Sequence, residues 1–476
     1  MSLFPHSWPR TDGDPFDSQL MTEDYYHGLL PREDIVEMLE KNGDFLVRMS
    51  IPEPDQPRQF VLSVMHDESV KQEGIRHFCI QVSVGGYMIE DGPAFDSVVP
   101  MVNHYLSTKT SITKRYSCPL STAVTRRLWQ LKHELIHPEK KLGEGAFGEV
   151  QAGKAFVSGE IMKVAIKLAK MGSITKEQIR EFMMEARVMR GMNHPYVVKF
   201  YGVAAFQDPL LLVMELVDEG SLDKILIKKH LTMKTKTEFC VQASWGIEYL
   251  HSIGLMHRDI AARNCLVNAG KLKISDFGLT SKGTEVSIDP KKKVPVRWMA
   301  PGVMATFKYT PKCDVWAYGI LCWEIFSDGQ MPYNTLPPQT VVEQVRSGYR
   351  MTFPESTPAA IGRIVHDYVW QHDVHRRLTM AQISEWLEKV TGMHRPGTAA
   401  TPEDRRISSR SPYTSPSTVS VNSDRRRVMD RTQADKESKK DRLSRRSCKS
   451  SKKVPHKKNG KGRAPRIVKK TRTNDE

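Results

Sequence analysis

The stretch "HRDIAARNCLVNAGKLKISDFG", residues 257–278, decides the reading of the chain. It carries Asp259 and Asn264 in an H-R-D-x-x-x-x-N run and Asp276 in the D-F-G that follows at a short interval. Hard oxygen donors suit Mg²⁺ (or Mn²⁺), with Asn264 and Asp276 as its ligands. Phosphoryl transfer also needs one carboxylate to orient an attacking hydroxyl and accept its proton, and the match to H-R-D-x-x-x-x-N gives that role to Asp259.

Upstream, Leu142, Gly143, Glu144, Gly145, Ala146, Phe147, Gly148, Glu149 and Val150 spell a G-x-G-x-x-G turn between two β-like runs. Alone the turn is ambiguous, because a dinucleotide-binding loop reads the same. Here a strand follows it instead of a helix, which argues against the dinucleotide fold. The glycines would let backbone N–H groups close over the phosphates of ATP. Lys167 ends the apolar strand Val164-Ala165-Ile166-Lys167, where a snorkelling surface lysine is the plainer alternative. Thr175 to Gln178 resembles a capping box opening a helix. Ile179, Phe182, Met183, Ala186 and Met189 form its apolar stripe. Glu185 borders that stripe, and a carboxylate placed there wants a cation, for which Lys167 is the obvious partner.

In this order the five elements resemble a eukaryotic protein kinase domain over residues 133–390, with Asp314 matching the buried Asp that braces the catalytic loop. The resemblance implies that Met214 is the gatekeeper and that Glu215, Leu216 and Val217 form the hinge meeting adenine, with Ala165 lining the same site. Ala261-Ala262-Arg263 and Pro295-Val296-Arg297-Trp298 resemble the tyrosine-kinase forms of the catalytic loop and docking strip.

Before this region, "PREDIVEMLE" predicts a helix with Pro31 at its first position and Ile35, Met38 and Leu39 on one face. "DFLVRMS", "QFVLSV" and "HFCIQVSV" predict successive strands, and "FDSVVPMVNHYL" a second helix. Helix, sheet and helix make a small α+β domain. Arg48 shares a strand face with Leu46. A half-buried guanidinium there needs an anion or an internal ion-pair partner. The whole stretch resembles a Src-homology 2 (SH2) domain, with Tyr25 for the usual leading Trp and Met49 for the usual Glu. The resemblance implies that Arg48 grips phosphotyrosine, supported by Arg32, Ser50 and His77. An SH2 domain directly ahead of such a kinase is most similar to the Fes/Fer family of non-receptor tyrosine kinases. That family's long N-terminal membrane-bending (F-BAR) region has no counterpart here, so its recruitment functions are not carried over.

The expected organisation is a flexible leader (1–22), an SH2 domain (23–120), a linker (121–135), a bilobal kinase domain (136–390) and a disordered tail (391–476). Net charge is +16, yet residues 391–476 hold 25 Lys+Arg against 9 Asp+Glu, so the remainder is neutral. The tail is poor in apolar residues and cannot offset its chain entropy by burial. It is either a solvated extension, a contact for an anionic membrane surface, or a nuclear-import or nucleic-acid segment. Specific nucleic-acid binding is disfavoured, because no aromatics interleave the basic clusters. Seven scattered cysteines form no C-x-x-C pair, which reads as reduced thiols. The N-terminus lacks an apolar signal region. Cytoplasmic location follows, with the plasma-membrane periphery or the nucleus reached through the tail as alternatives.

Two features are unusual. The segment 276–304 contains no tyrosine, and Glu285 falls about where the Fes/Fer family carries its activating tyrosine. It is either an exposed loop residue or a partial phosphate mimic pairing with Arg258 or Lys291–Lys293. The segment also reads Ala300-Pro301-Gly302 where kinases carry Ala-Pro-Glu, whose Glu pairs with a large-lobe arginine matching Arg377. A missing buttress implies lower stability before lost chemistry. Three functions fit: a tyrosine kinase using ATP and Mg²⁺ with phosphotyrosine-bearing partners and tyrosine substrates, an SH2 adaptor carrying a pseudokinase, and a kinase fold binding ATP only as a regulator. The complete set Lys167, Glu185, Asp259, Asn264 and Asp276 favours the first.

Overall fold

The computed structural model describes residues 17–52, 56–145, 148–169, 174–289 and 294–396. Most of the expected leader, Ala146, Phe147, Lys291–Lys293 and the tail beyond residue 396 lie outside the described residues.

The first domain is a small α+β unit. Helix α1 (Arg32–Ile35) precedes β1 (Asp44–Ser50), β2 (Gln59–Met65) and β3 (Ile75–Cys79). These strands run antiparallel, with Arg48 opposite Val61 and Ser63 opposite His77. Residues 77–84, expected as one strand, divide at buried Ile80. Only β3 stays in the main sheet, while β4 (Gln81–Ser83) turns back on β5 (Gly86–Met88) as a hairpin. Val82 and Val84 are exposed, so no core holds this stretch against the sheet. Helix α2 (Val98–Thr108) buries Val98, Met101, Val102 and Tyr105. Helix α1 is shorter than expected, although Met38 and Leu39 are buried. The stretch read as a linker is ordered: β6 (Thr122–Ala123) adds to β1 in parallel, and Leu131 donates its amide to the Val203 carbonyl.

The second domain opens with β7 (Ile136–Gly145), β8 (Gly148–Val157) and β9 (Glu160–Ala169), then α3 (Lys176–Met189), β10 (Phe200–Ala204) and β11 (Leu211–Glu215). The five strands form one sheet in the order β10-β11-β9-β8-β7. Helix α3 begins with the expected capping box between Thr175 and Gln178. Gly148 sits at φ 145°, where a Cβ would lie 1.8 Å from the Leu168 carbonyl oxygen, so the turn demands glycine.

Helices dominate the second lobe: α4 (Leu222–Lys228), α5 (Met233–Ser252), α6 (Pro301–Thr306), α7 (Pro311–Phe326), α8 (Pro338–Arg346), α9 (Ala359–Ile364) and α10 (Met380–Thr391). Every residue of α7 from Cys313 to Phe326 is buried, so it forms the lobe's central rod. Between α5 and α6 run the short strands β12 (Leu255–Met256), β13 (Cys265–Asn268), β14 (Lys271–Ile274), β15 (Ser281–Lys282) and β16 (Val286–Ser287), and β17 (Lys308–Tyr309) follows α6. These strands carry the site. No described helix is long and apolar enough to cross a membrane.

The first domain rests on the small lobe of the second. Gly28, at φ 63°, brings backbone against backbone there, and the Leu29 amide donates to the Ala205 carbonyl at 2.7 Å. A Cβ at Gly28 would sit 2.2 Å from that carbonyl oxygen, so no other residue fits. Asp34, 1 % exposed, accepts from Arg187 (Nε 3.1 Å, Nη2 2.6 Å) and Arg190 (2.5 Å), both at the end of α3. Glu33 pairs with Arg180 at 2.7 Å, and Arg58 with Asp208.

Candidate active site and phosphate-binding pocket

Asp259 lies at the junction of the described elements. Its amide donates to the His257 ring, and Asn264 donates through Nδ2 to its Oδ2 at 2.7 Å and to its carbonyl at 2.8 Å. Arg263 donates to its other carboxylate oxygen. The guanidinium of Arg263 also stacks over Trp298 at 4.3 Å, which ties the carboxylate to the docking strip. Trp298 in turn donates to Glu324, whose same oxygen accepts the Ala262 amide. Burial pushes the Glu324 carboxyl up to about 7. Glu324 thus braces the catalytic loop and docking strip together.

The loop is held from beneath by Asp314, which is fully buried. It accepts the amides of His257 and Arg258 (both 2.9 Å), the Tyr309 hydroxyl (2.7 Å) and His251 Nε2 (3.0 Å). Burial pushes this carboxyl up, but hydrogen bonding and charge from His251, the charge of His257 and the Arg258 amide together hold it below the ordinary carboxylate value. Arg258 sits at φ 71°, a conformation that disfavours side chains, and the Asp314 bond to its amide holds it there. Asp276 is likewise left-handed, at φ 62°, and its Oδ1 faces the Gly278 amide at 3.5 Å.

Lys167 and Glu185 meet as expected, with Nζ 2.9 and 2.7 Å from the two carboxylate oxygens. Glu185 is 4 % exposed. Burial pushes its carboxyl up against the opposing pull of Lys167. Removing one partner from such a pair costs about 3–5 kcal/mol. Lys167 lies opposite Val150 on one side and Leu212 on the other, and Ala165 lies opposite Met214. The sheet therefore places the Gly-rich turn (Leu142, Gly143, Glu144, Gly145, Gly148, Val150), the lysine strand and the Met214–Glu215 segment side by side. Val217, just beyond β11, is buried. The Glu215 side chain is engaged with Lys273 at 2.9 Å, so the backbone is what this segment presents.

The donor set fits Mg²⁺. Asn264 uses its amide nitrogen on Asp259, which leaves its Oδ1 as the ligand end. The described residues hold no group of three His, Cys, Asp or Glu able to cage a metal. Two protein oxygens suit Mg²⁺, which keeps waters and substrate phosphates as its other ligands.

In the first domain Arg48 is 2 % exposed. Its Nε donates to Ser63 at 3.2 Å and an Nη to the Leu30 carbonyl at 3.4 Å. Ser63 also meets His77 Nδ1 at 3.0 Å. Burial, aided by the charge of Arg32, lowers Arg48 to about 10, so it stays charged at neutral pH. His77 falls to about 3 through burial and the charges of Arg48, Arg32 and Arg76, so it is neutral. Positive charge in the pocket therefore comes from arginine. Ser50 lies on the same strand, two residues beyond Arg48. Ser63 and Leu30 escaped the sequence reading, because strand register brings Ser63 to Arg48 and the fold of the chain ahead of α1 brings Leu30 there.

Of the alternatives for Glu285, the exposed loop residue fits the structure, and the pairing with Lys291–Lys293 lies outside the described residues. Glu285 pairs with Lys308 at 2.8 Å, with both side chains about half exposed, and not with Arg258. Arg258 instead donates to the Leu279 carbonyl and lies over the Tyr309 ring. Backbone geometry explains this: β16 pairs with β17, which sets Glu285 beside Lys308. Gly302 is exposed in α6, and Arg377 is 2 % exposed but satisfies its two terminal nitrogens on the Lys312 and Gln371 carbonyls. Main-chain acceptors thus replace part of what the missing glutamate would give.

Comparison with known proteins agrees with this geometry. A model of the protein tyrosine and serine/threonine kinase family matches residues 136–387, and an SH2 domain model matches residues 25–105. Fer-related kinase 1 of Caenorhabditis elegans is 37 % identical over 374 residues, covering 78 % of this chain and 94 % of that protein. The chain belongs to the Fer/Fps family of SH2-containing tyrosine-protein kinases. The transforming protein Fps of avian sarcoma virus (strain PRCII) is 35 % identical over 382 residues, 79 % of this chain and 69 % of that one. Human tyrosine-protein kinase Fer is 36 % identical over 374 residues, 77 % of this chain but 44 % of its own length.

Proposed function

We propose that this Fer/Fps-family kinase transfers the γ-phosphate of ATP to protein tyrosine, and that its SH2 domain binds phosphotyrosine-bearing proteins. The observation that carries the reading is Asp259, clamped on both carboxylate oxygens by Arg263 and Asn264. A carboxylate fixed this way orients the substrate hydroxyl and accepts its proton. Lys167, held by Glu185, contacts the nucleotide phosphates. Asn264 and Asp276 would hold Mg²⁺, which would supply charge to neutralise the phosphates. The backbone of Glu215–Val217 meets the adenine, and the β7–β8 turn covers the phosphates. Arg263 supports tyrosine as acceptor, since it ties Asp259 to the docking strip through Trp298.

Arg48 supplies the phosphotyrosine grip, with Arg32, Ser50 and His77 around it. Because Asp34 holds the end of α3, the helix that carries Glu185, docking of the SH2 domain and order at the Lys167–Glu185 pair are coupled. The test is incubation with ATP, Mg²⁺ and peptides carrying tyrosine, serine or threonine in one sequence context. Phosphate on the tyrosine peptide alone supports the reading, and phosphate on serine or threonine peptides, or on none, defeats it.

A further inference from the structure

Glu324 stands in the last turn of α7 and is 6 % exposed. Its Oε2 accepts both the Ala262 amide at 3.0 Å and the Trp298 indole N–H at 3.1 Å. These donors belong to the two segments that a transfer site must hold in register. Ala262 lies three residues after Asp259, and Trp298 ends the docking strip. The Trp298 ring carries the Arg263 guanidinium at 4.3 Å, and Arg263 donates to the Asp259 carboxylate. Glu324 therefore reaches Asp259 by two routes, one through the backbone at Ala262 and one through Trp298 and Arg263. Arg297, beside Trp298, is spent elsewhere, on the carbonyls of Pro332, Tyr333 and Leu336.

A neutral acceptor such as glutamine would satisfy the same two N–H groups. What glutamate adds is charge, and a charged acceptor makes hydrogen bonds about twice as strong. Burial opposes that charge; the bonds from Trp298 and Ala262 and the charge of Arg263 favour it, and the like charge of Asp223 on α4 opposes it. The balance leaves the Glu324 carboxyl at about 7. At pH 6 it is about nine-tenths protonated, and at pH 8 about nine-tenths ionised. Burial pushes the neighbouring Cys265 thiol well up, so it stays neutral across this range. Arginine side chains do not titrate there either.

We propose, on the tyrosine-kinase reading above, that Glu324 is a positioning residue for the acceptor tyrosine: its negative charge draws the docking strip and the catalytic loop into register, and capture of a tyrosine peptide depends on that charge. Neutral Glu324 keeps both bonds in weaker form, so the site slackens without coming apart. Lys167 and Glu185 lie in the other lobe, and nucleotide affinity is unaffected.

The test is the affinity of the full chain, with ADP and Mg²⁺, for a tyrosine peptide free of histidine and phosphate, from pH 6 to pH 8. Transfer from ATP is measured alongside. Glu324→Gln keeps an oxygen acceptor and cannot ionise. The two proteins are expected to agree within about twofold at pH 6, while at pH 8 the wild type binds about fivefold more tightly or better. The variant's affinity is expected to stay flat across the range, and KM for ATP to stay within about twofold in both proteins. Trp298→Phe keeps a ring under Arg263 but removes the donor, and is expected to flatten the wild-type profile as well. Equal peptide affinities of wild type and Glu324→Gln at pH 8 would overturn the proposal. So would a constant ratio between them at every pH, which marks a merely structural role. The predicted affinities without any transfer would sustain the positioning role and defeat the kinase reading; transfer with equal affinities would do the reverse.

Discussion

Asp34→Asn removes the charge that joins the SH2 domain to α3 while keeping the side-chain volume. Three N–H bonds from Arg187 and Arg190 converge on this carboxylate, whose side chain is wholly buried. Loss of one partner from a buried hydrogen-bonded charge pair costs about 2–5 kcal/mol. The two arginines keep 30 % and 18 % exposure and reach solvent, which favours the lower part of that range. A loss of about 2–3 kcal/mol lowers the ratio of docked to undocked domains by about 30- to 150-fold. Helix α3 carries Glu185, so its amides from Ile179 to Met189 should exchange faster in the variant. Turnover on a tyrosine peptide should fall in parallel, while phosphopeptide affinity at Arg48 stays within about threefold, under 1 kcal/mol. Unchanged exchange across α3 together with unchanged turnover would refute the coupling.

Other perturbations read other parts of the molecule. Arg48→Met should weaken phosphotyrosine-peptide binding by at least about 100-fold, since charged hydrogen bonds contribute about 1.5–3 kcal/mol each. Fluorescence polarisation with a labelled peptide checks this, and a loss below tenfold would exclude Arg48 as the grip. Glu285→Gln breaks only an exposed pair with Lys308, worth about 0–1 kcal/mol, so kcat should change by less than about threefold; a large fall would restore the phosphate-mimic idea. Burial holds His27 and His133 at about 4, below their ordinary 6.5. Between those values the unfolded chain takes up protons that the folded chain refuses, so stability present above pH 6.5 is lost as pH falls toward 4. The urea midpoint should therefore drop between pH 7 and pH 5, and a flat midpoint would contradict these assignments.

Much of the catalytic half was legible in the sequence because its chemistry depends on short spacings. Asp259, Arg263 and Asn264 lie within two turns of chain, and the α3 cap and apolar stripe mark where Glu185 faces. What escaped depends on register and on contacts between distant segments. Ser63 meets Arg48 only once β1 and β2 are aligned. Asp34 meets Arg187 across 153 residues of sequence. Glu324 joins Ala262 to Trp298 from the last turn of an apolar helix, where nothing in its neighbours signals a partner. Glu285 pairs with Lys308 and not with Arg258 for a similar reason. A loop glutamate has many cations within reach on paper, and the β16–β17 pairing selects Lys308. The break at Ile80 also reflects placement, since both halves of that stretch have strand-forming residues and only the core decides which half it keeps.

The central claim is that Asp259 stands in a competent phosphoryl-transfer site. The most direct measurement is a single-turnover assay of phosphate transfer from ATP to a Glu/Tyr copolymer, with wild type and Asp259→Asn side by side. Asparagine preserves the bond from Asn264 but cannot accept a proton. Transfer by the wild type, reduced about 10²–10⁴-fold in the variant, is the predicted result. Equal rates from the two proteins, or no transfer by the wild type while phosphopeptide binding is intact, would contradict it.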